Sequence, residues 1–202
     1  MNDGLIEKQR FFDRLSHRWH DENTLADHEW ELLHKVLPAS ELSRGGRILD
    51  LGGGTGRLAE SLVGVYPLYC LILDLSRGML EEGARHFTHP AVRRLQADAR
   101  RLPFSDESIR YIFCFRSFPH FEQKEEVLRE SRRVLVSGGS FVILHSCSRE
   151  EINNFHSSQS AVIASDHLPP LSRFRRWGTA LKWIPKRLEN GPGGFVVHYL
   201  KP

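Results

Sequence analysis

The chain has 202 residues, enough for one domain that buries roughly 70% of its unfolded surface without a disulfide or metal staple. Twenty-eight Lys and Arg against 25 Asp and Glu leave a net charge of +3, too mild to imply a nucleic-acid partner, and no run approaches the ~18 apolar residues of a membrane span. Cys70, Cys114 and Cys147 fall in apolar runs at spacings that suit neither disulfide pairs nor a metal, and the polar first ten residues lack a signal peptide's apolar stretch, so a soluble cytoplasmic protein with reduced core cysteines is expected.

In chain order, Leu5, Phe12, Leu15 and Trp19 recur at helical spacing and predict an amphipathic helix. Thr24 is placed to cap a second one, whose apolar stripe of Leu25, Leu32, Leu33, Val36 and Leu37 ends at Pro38. Two helices ahead of the first strand suggest a helical cap over residues 1–44, with the sheet domain spanning 45–202. Arg47 to Leu51 then reads as a strand that breaks into Gly52, Gly53, Gly54 and Gly56. Glycines there remove the Cβ atoms that would keep a ligand off the backbone, and such a turn at a strand's carboxyl end is where nucleotide-like ligands bind. A dinucleotide fingerprint requires a further glycine or alanine where Arg57 stands, so that reading fails on spacing.

Leu68 to Asp74 is a continuous apolar run that reads as a buried parallel strand. Asp74 at its end offers two acceptor oxygens for the hydroxyls of a ribose, a requirement shared by several nucleotide cofactors. Ser76 caps a helix running through Met79 and Leu80 to Phe87. A fourth strand is predicted over Ser108–Phe115, a helix over Gln123–Val136 stopped by Gly138-Gly139, and a fifth strand over Ser140–His145. Ser148 and Glu151 form a capping box for a helix through His156. A loop-rich insert through Asp166–Pro170 follows, and residues 180–188 and 194–200 read as a closing hairpin joined by Asn190-Gly-Pro-Gly. From Arg173 onward seven basic residues face the single acid Glu189, either a solvated face or a docking surface for an acidic partner.

Asp50-x-Gly52-x-Gly54-x-Gly56 resembles motif I of the class I S-adenosylmethionine (SAM) methyltransferases. Gln96-Ala-Asp98-Ala-Arg-Arg-Leu-Pro-Phe104 is similar to the third conserved block of that family, and Arg133 to Gly139 to its Arg-Val-Leu-Lys-Pro-Gly-Gly segment with two substitutions. Phe11-Phe-Asp-Arg-Leu-Ser-His-Arg-Trp-His-Asp21 loosely resembles the opening segment of the quinone C-methyltransferase group. Arg110 replaces an Asp that family members often carry on the fourth strand. The resemblance implies an α/β fold, a Rossmann-like three-layer sandwich with a mainly parallel seven-stranded sheet and a helical N-terminal cap. It also implies SAM as cofactor, held by Asp50, Gly52, Gly53, Gly54, Gly56 and Asp74, with Leu75, Met79 and Phe115 beside it. By the same resemblance Asp98 meets the adenine amino group and the Ala99 amide a ring nitrogen.

Methyl transfer from a sulfonium depends mainly on alignment of donor and acceptor, with a general base useful where the acceptor must lose a proton. His120 after the fourth strand, His145 at the end of the fifth and His156 on the following helix are the candidate catalytic residues, with Asp166 and His167 in an insert that can fold back over the same edge. These histidines either cap strands, or supply a base, or join a carboxylate in a metal site, although no short ligand spacing supports a metal. Ser117-Phe-Pro-His120 keeps only the Ser and one Pro of the motif with which base-methylating enzymes bind their target. A small-molecule acceptor is therefore expected, with nucleic acid disfavoured and nothing to set an oligomeric state. A SAM-binding regulatory module without turnover and a metal-assisted enzyme are the alternative readings.

Overall fold

The computed structural model describes residues 3–19 and 25–202; Thr24 and the His20–Asp21 end of the opening segment lie outside them. Helix α1 (Asp3–Leu15) and a 3-10 turn (Ser16–Arg18) come first, followed by α2 (Asp27–Val36) and the single turn α3 (Ala39–Leu42). Strands and helices then alternate: β1 (Gly46–Leu51), α4 (Arg57–Val63), β2 (Leu68–Asp74), α5 (Arg77–His86), β3 (Val92–Gln96) and β4 (Ile109–Phe115). The chain closes with α6 (Lys124–Val134), β5 (Leu135–His145), α7 (Arg149–Ser157), α8 (Leu171–Ala180), β6 (Ile184–Gly191) and β7 (Gly194–Leu200).

The seven strands form one sheet in the order β3-β2-β1-β4-β5-β7-β6. The first five are parallel, and β7 runs antiparallel to both β5 and β6. The sheet is thus mixed and mainly parallel, with helices on both sides. Successive side chains of a strand point to opposite faces, so on β4 Tyr111, Phe113 and Phe115 join a core with α2 and α4, whereas Ile112 and Cys114 join the core with α6 and α8. Burial on both faces explains why β2 reads as an unbroken apolar run and β4 as one interrupted only by Arg110.

Local signals place most boundaries. The Ser76 hydroxyl accepts the Met79 amide at the start of α5, and Ser148 and Glu151 complete their capping box on α7. Three expectations need correction. Helix α6 stops at Val134 and β5 begins at once, because Leu135 already pairs with Ile109; Gly138-Gly139 lies inside the strand, where the Gly138 amide donates to Lys201 O. Residues 171–180 are helical, so the strand expected from Ala180 starts at Ile184: Phe174 is buried and the missing Cβ of Gly178 lets the Tyr199 ring approach. Cys70 and Cys114 are core residues, but Cys147, in the loop beyond β5, is exposed. No helix among the described residues is long and apolar enough to cross a membrane.

Candidate active site

The strand order reverses between β2-β1 and β4-β5, and ligands of open α/β sheets bind at the carboxyl ends of the strands beside such a switch. A cavity of about 460 Å³ lies there. It reaches from Asp98 and Ala99 across the glycine turn to Ser117 and His120, and α1 covers it with Leu5, Lys8 and Phe12.

The turn is shaped by its glycines. Gly52, Gly54 and Gly56 all have positive φ, a region that favours residues without Cβ. A Cβ at Gly54 would meet nothing within 4 Å, which leaves bare peptide open to a ligand. The Gly52 amide crosses to Leu73 O at 2.7 Å and ties the turn to β2. At the end of β2, the Asp74 carboxylate accepts the Gly54 amide at 2.9 Å and the Ser76 amide at 2.8 Å. Burial, partly offset by these amides, pushes Asp74 up to about 6. Asp50 lies beneath the turn, with neither oxygen in a hydrogen bond of ordinary geometry. Burial first, and then the neighbouring Asp74 charge, push it up to about 7. One buried and one half-buried carboxylate beside open glycine backbone suit a ligand that carries positive charge and hydroxyl donors.

Leu75, Met79, Asp98, Ala99 and Phe115 line the cavity, as do Asp50, Asp74 and glycines 52–54; Gly56 stands behind the turn as the N-cap of α4. Asp98 is held by Arg100, whose Nη2 approaches Oδ2 to 2.6 Å. Burial would raise Asp98, but the Arg100 contacts outweigh it and leave the acid below its ordinary value.

The three histidines gather at one edge but play unequal parts. His120 lines the cavity; His145 and His156 do not. The His120 and His156 rings are 4.8 Å apart, and His145 is buried with its Nε2 unpartnered. Burial, reinforced by His120, Arg116 and His156, pushes His145 down to about 3, so this ring is neutral at physiological pH. Among the described residues no group of three or more His, Cys, Asp or Glu side chains is arranged to hold a metal ion.

Several residues of the site carry no signal in the sequence. Lys8 of α1 reaches Asp166 at 2.7 Å. Asp13 accepts the Ser76 hydroxyl at 2.6 Å and the Gly78 amide at 2.8 Å, fastening α1 to the start of α5. Glu29 of α2 is buried and bonds Arg57 at 2.7 Å, with Arg116 at 3.4 Å; both guanidiniums lie over the Phe115 ring. These contacts join residues 28 to 158 positions apart, which no local periodicity records.

A methyltransferase-domain family model matches residues 48–139, the span that contains the turn, Asp74 and Asp98. Over 95 residues the chain is 38% identical to the malonyl-[acyl-carrier protein] O-methyltransferase of Methylococcus capsulatus, covering 46% of this chain and 34% of that one. Over 145 residues it is 34% identical to the demethylmenaquinone methyltransferase of Thermotoga maritima, covering 67% of this chain and 59% of that one. The chain thus spans from a third to three fifths of the length of these relatives. Among solved structures, a SAM-dependent methyltransferase of Methanococcus maripaludis superposes with a TM-score of 0.73 at 18% identity, covering 100% of this chain and 95% of the other.

Proposed function

The chain belongs to the class I SAM-dependent methyltransferase family, and from that premise we propose that it transfers a methyl group from SAM to a small-molecule acceptor. The observation that carries this reading is the single cavity running from Asp98, past the open backbone at Gly54, to His120. One end suits a nucleoside and the other holds a titratable side chain. When bound, SAM supplies a methyl group already activated by its sulfonium.

The protein's own part is to bind, orient and exclude water. Asp74 takes the ribose hydroxyls with the acceptor capacity that its two backbone amides leave over. Asp98 and the Ala99 amide face the adenine, and Leu75, Met79 and Phe115 border the cofactor. Gly52, Gly53 and Gly54 let the remainder lie against peptide, Gly56 fixes the turn behind them, and Asp50 places negative charge beneath a cationic ligand. Residues 1–44 serve as the cap over the domain of residues 45–202, and α1 keeps water from the reacting atoms. His120 is the candidate base at the acceptor end, where burial holds it below its ordinary value despite the Asp166 carboxylate, leaving the neutral ring that a base requires. His145 and His156 support its surroundings.

The named relatives act on a malonyl thioester carrier and on a demethylmenaquinone, so shared ancestry does not restrict the acceptor to one functional group. Titration calorimetry with S-adenosylhomocysteine (SAH) should give a Kd in the micromolar range, about 8 kcal/mol, and no heat with NAD. Absence of SAH binding, or a preference for NAD, overturns the reading.

A further inference from the structure

At the acceptor end of the cavity, three segments far apart in sequence meet on one carboxylate. Asp166, in the insert between α7 and α8, accepts the His120 ring at 2.8 Å on Oδ2 and the Lys8 ammonium at 2.7 Å on Oδ1. Its backbone carbonyl takes the Nδ1–H of His156, and its amide closes a turn onto Ile163 O at 2.9 Å. Lys8 also donates to the His120 carbonyl at 3.0 Å. Both charged side chains are about nine-tenths buried, at 10% and 8% exposure, and a buried ion pair costs desolvation energy that an exposed one does not. Held at both carboxylate oxygens and at its own backbone carbonyl and amide, Asp166 has little freedom to turn.

The direction of the hydrogen bond fixes the chemistry. An ionised carboxylate only accepts, so the nitrogen facing Asp166 must carry the proton. In the neutral ring the lone pair then sits on Nε2. That nitrogen makes no hydrogen bond to any described residue, and its ring borders the cavity. The Phe12 ring stands edge-on to the imidazole at 5.0 Å and limits its rotation.

We infer that Asp166 is a positioning residue, which holds His120 in the Nδ1–H tautomer so that Nε2 can take the proton of an acceptor hydroxyl, thiol or acidic C–H. The inference rests on the methyltransferase reading and names a class of acceptor for it. As the acceptor's electron pair forms the new bond to the methyl carbon, the carbon–sulfur pair stays with sulfur. The acceptor's proton passes to Nε2, and Asp166 stabilises the imidazolium until it loses that proton to water. A neutral amine attacks with a lone pair it already has and gains less from this arrangement. Lys8 keeps Asp166 ionised and, through its own charge, restrains the basicity of His120.

The test is long-range proton–nitrogen NMR on histidine-labelled full-length protein, for the wild type and Asp166→Asn. The wild type should show His120 as the Nδ1–H tautomer. An asparagine amide can instead donate to Nδ1, so the variant should move the proton to Nε2, as the corresponding exchange does in the serine-protease triad. Lys8→Met should raise the His120 titration midpoint. Asp166, His156 and Lys8 act on the ring directly, His145 is coupled to it, and Lys124 acts on Asp166 and Lys8, so the shift is read as a difference between variants at one ionic strength. Methyl transfer from tritiated SAM to a panel of phenols, thiols and primary amines supplies the second readout. With any phenol or thiol that the wild type methylates, Asp166→Asn should lower kcat by about 100- to 10,000-fold at unchanged KM for SAM.

An Nε2–H tautomer in the wild type, or a variant that keeps both tautomer and kcat, overturns the inference. SAH calorimetry keeps the two readings apart: both proteins should bind SAH within threefold of each other. Failure of the wild type to bind refutes the cofactor reading, while the tautomer measurement still decides the role of Asp166.

Discussion

Two glycines show how one missing methyl group can serve different ends. Gly54 has φ +55° and open space where a Cβ would stand. Alanine there costs roughly 1–2 kcal/mol in backbone conformation and places a methyl group where the ligand should lie. Gly54→Ala should therefore fold, with SAH binding weakened about tenfold or more by calorimetry. Gly83 of α5 supports the turn from behind, since a Cβ there would come within 2.0 Å of Thr55 O. Alanine normally gains about 1 kcal/mol over glycine within a helix, but backbone cannot yield to a clash of that size. Gly83→Ala should lower Tm by about 5–10 °C, the scale of a 2–3 kcal/mol loss in a domain this long. A rise in Tm would show that α5 can move off the turn. The sequence makes Gly54 conspicuous through its glycine neighbours, whereas Gly83 looks like an ordinary weak point in a helix.

At the scale of elements, α1 is held over the cavity by two clips, one at its middle and one near its C-terminus. Lys8 fastens it to the insert through Asp166, and Asp13 fastens it to α5 through Ser76 and Gly78. Losing the acceptor of two hydrogen bonds leaves the buried Ser76 hydroxyl and the Gly78 amide without it, at a cost of about 1–3 kcal/mol. Asp13→Ala should speed SAH dissociation about 10- to 100-fold in stopped-flow displacement and raise amide exchange in α1 while leaving α6 unchanged. Equal rates would mean that α1 does not gate the cavity. Strands β1, β2 and β4 were legible because they are buried on both faces and the turn after β1 carries its own glycine signature, while the order of the strands in the sheet was not read from the sequence. Helix α8 was not, because its apolar positions are few, with Phe174 fully buried among basic neighbours. The start of β5 was missed because two glycines normally stop a helix, and here pairing with Ile109 decides the boundary first. The cavity lining at the glycine turn, Asp74 and Asp98 was readable because its parts come from consecutive strand ends. The meeting of Lys8, His120 and Asp166 depends on the completed fold.

For the molecule as a whole, the acids at the glycine turn link folding to pH. Asp50 is raised to about 7 and Asp74 to about 6, so between about pH 4 and 7 the folded state binds protons that the unfolded chain has released. Stability from these groups is fully present below pH 4 and is lost as pH rises through 6 and 7. Other groups act in the opposite sense. Burial lowers His120, His145 and His198, so their charging in the unfolded chain weakens the fold toward acid. Absolute stability therefore mixes both trends, and the informative quantity is the difference between Asp50→Asn and wild type. In ligand-free protein that difference should move in favour of the variant by about 2–4 kcal/mol from pH 4 to pH 8, at 1.36 kcal/mol per unit and less for coupling to Asp74. Denaturant unfolding at each pH measures it, and a constant difference would show that Asp50 ionises as freely in the fold as outside it. A cationic ligand recovers part of the lost stability by compensating the same carboxylates. Saturating SAM should accordingly stabilise wild type more at pH 8 than at pH 5, and this gain should shrink in Asp50→Asn.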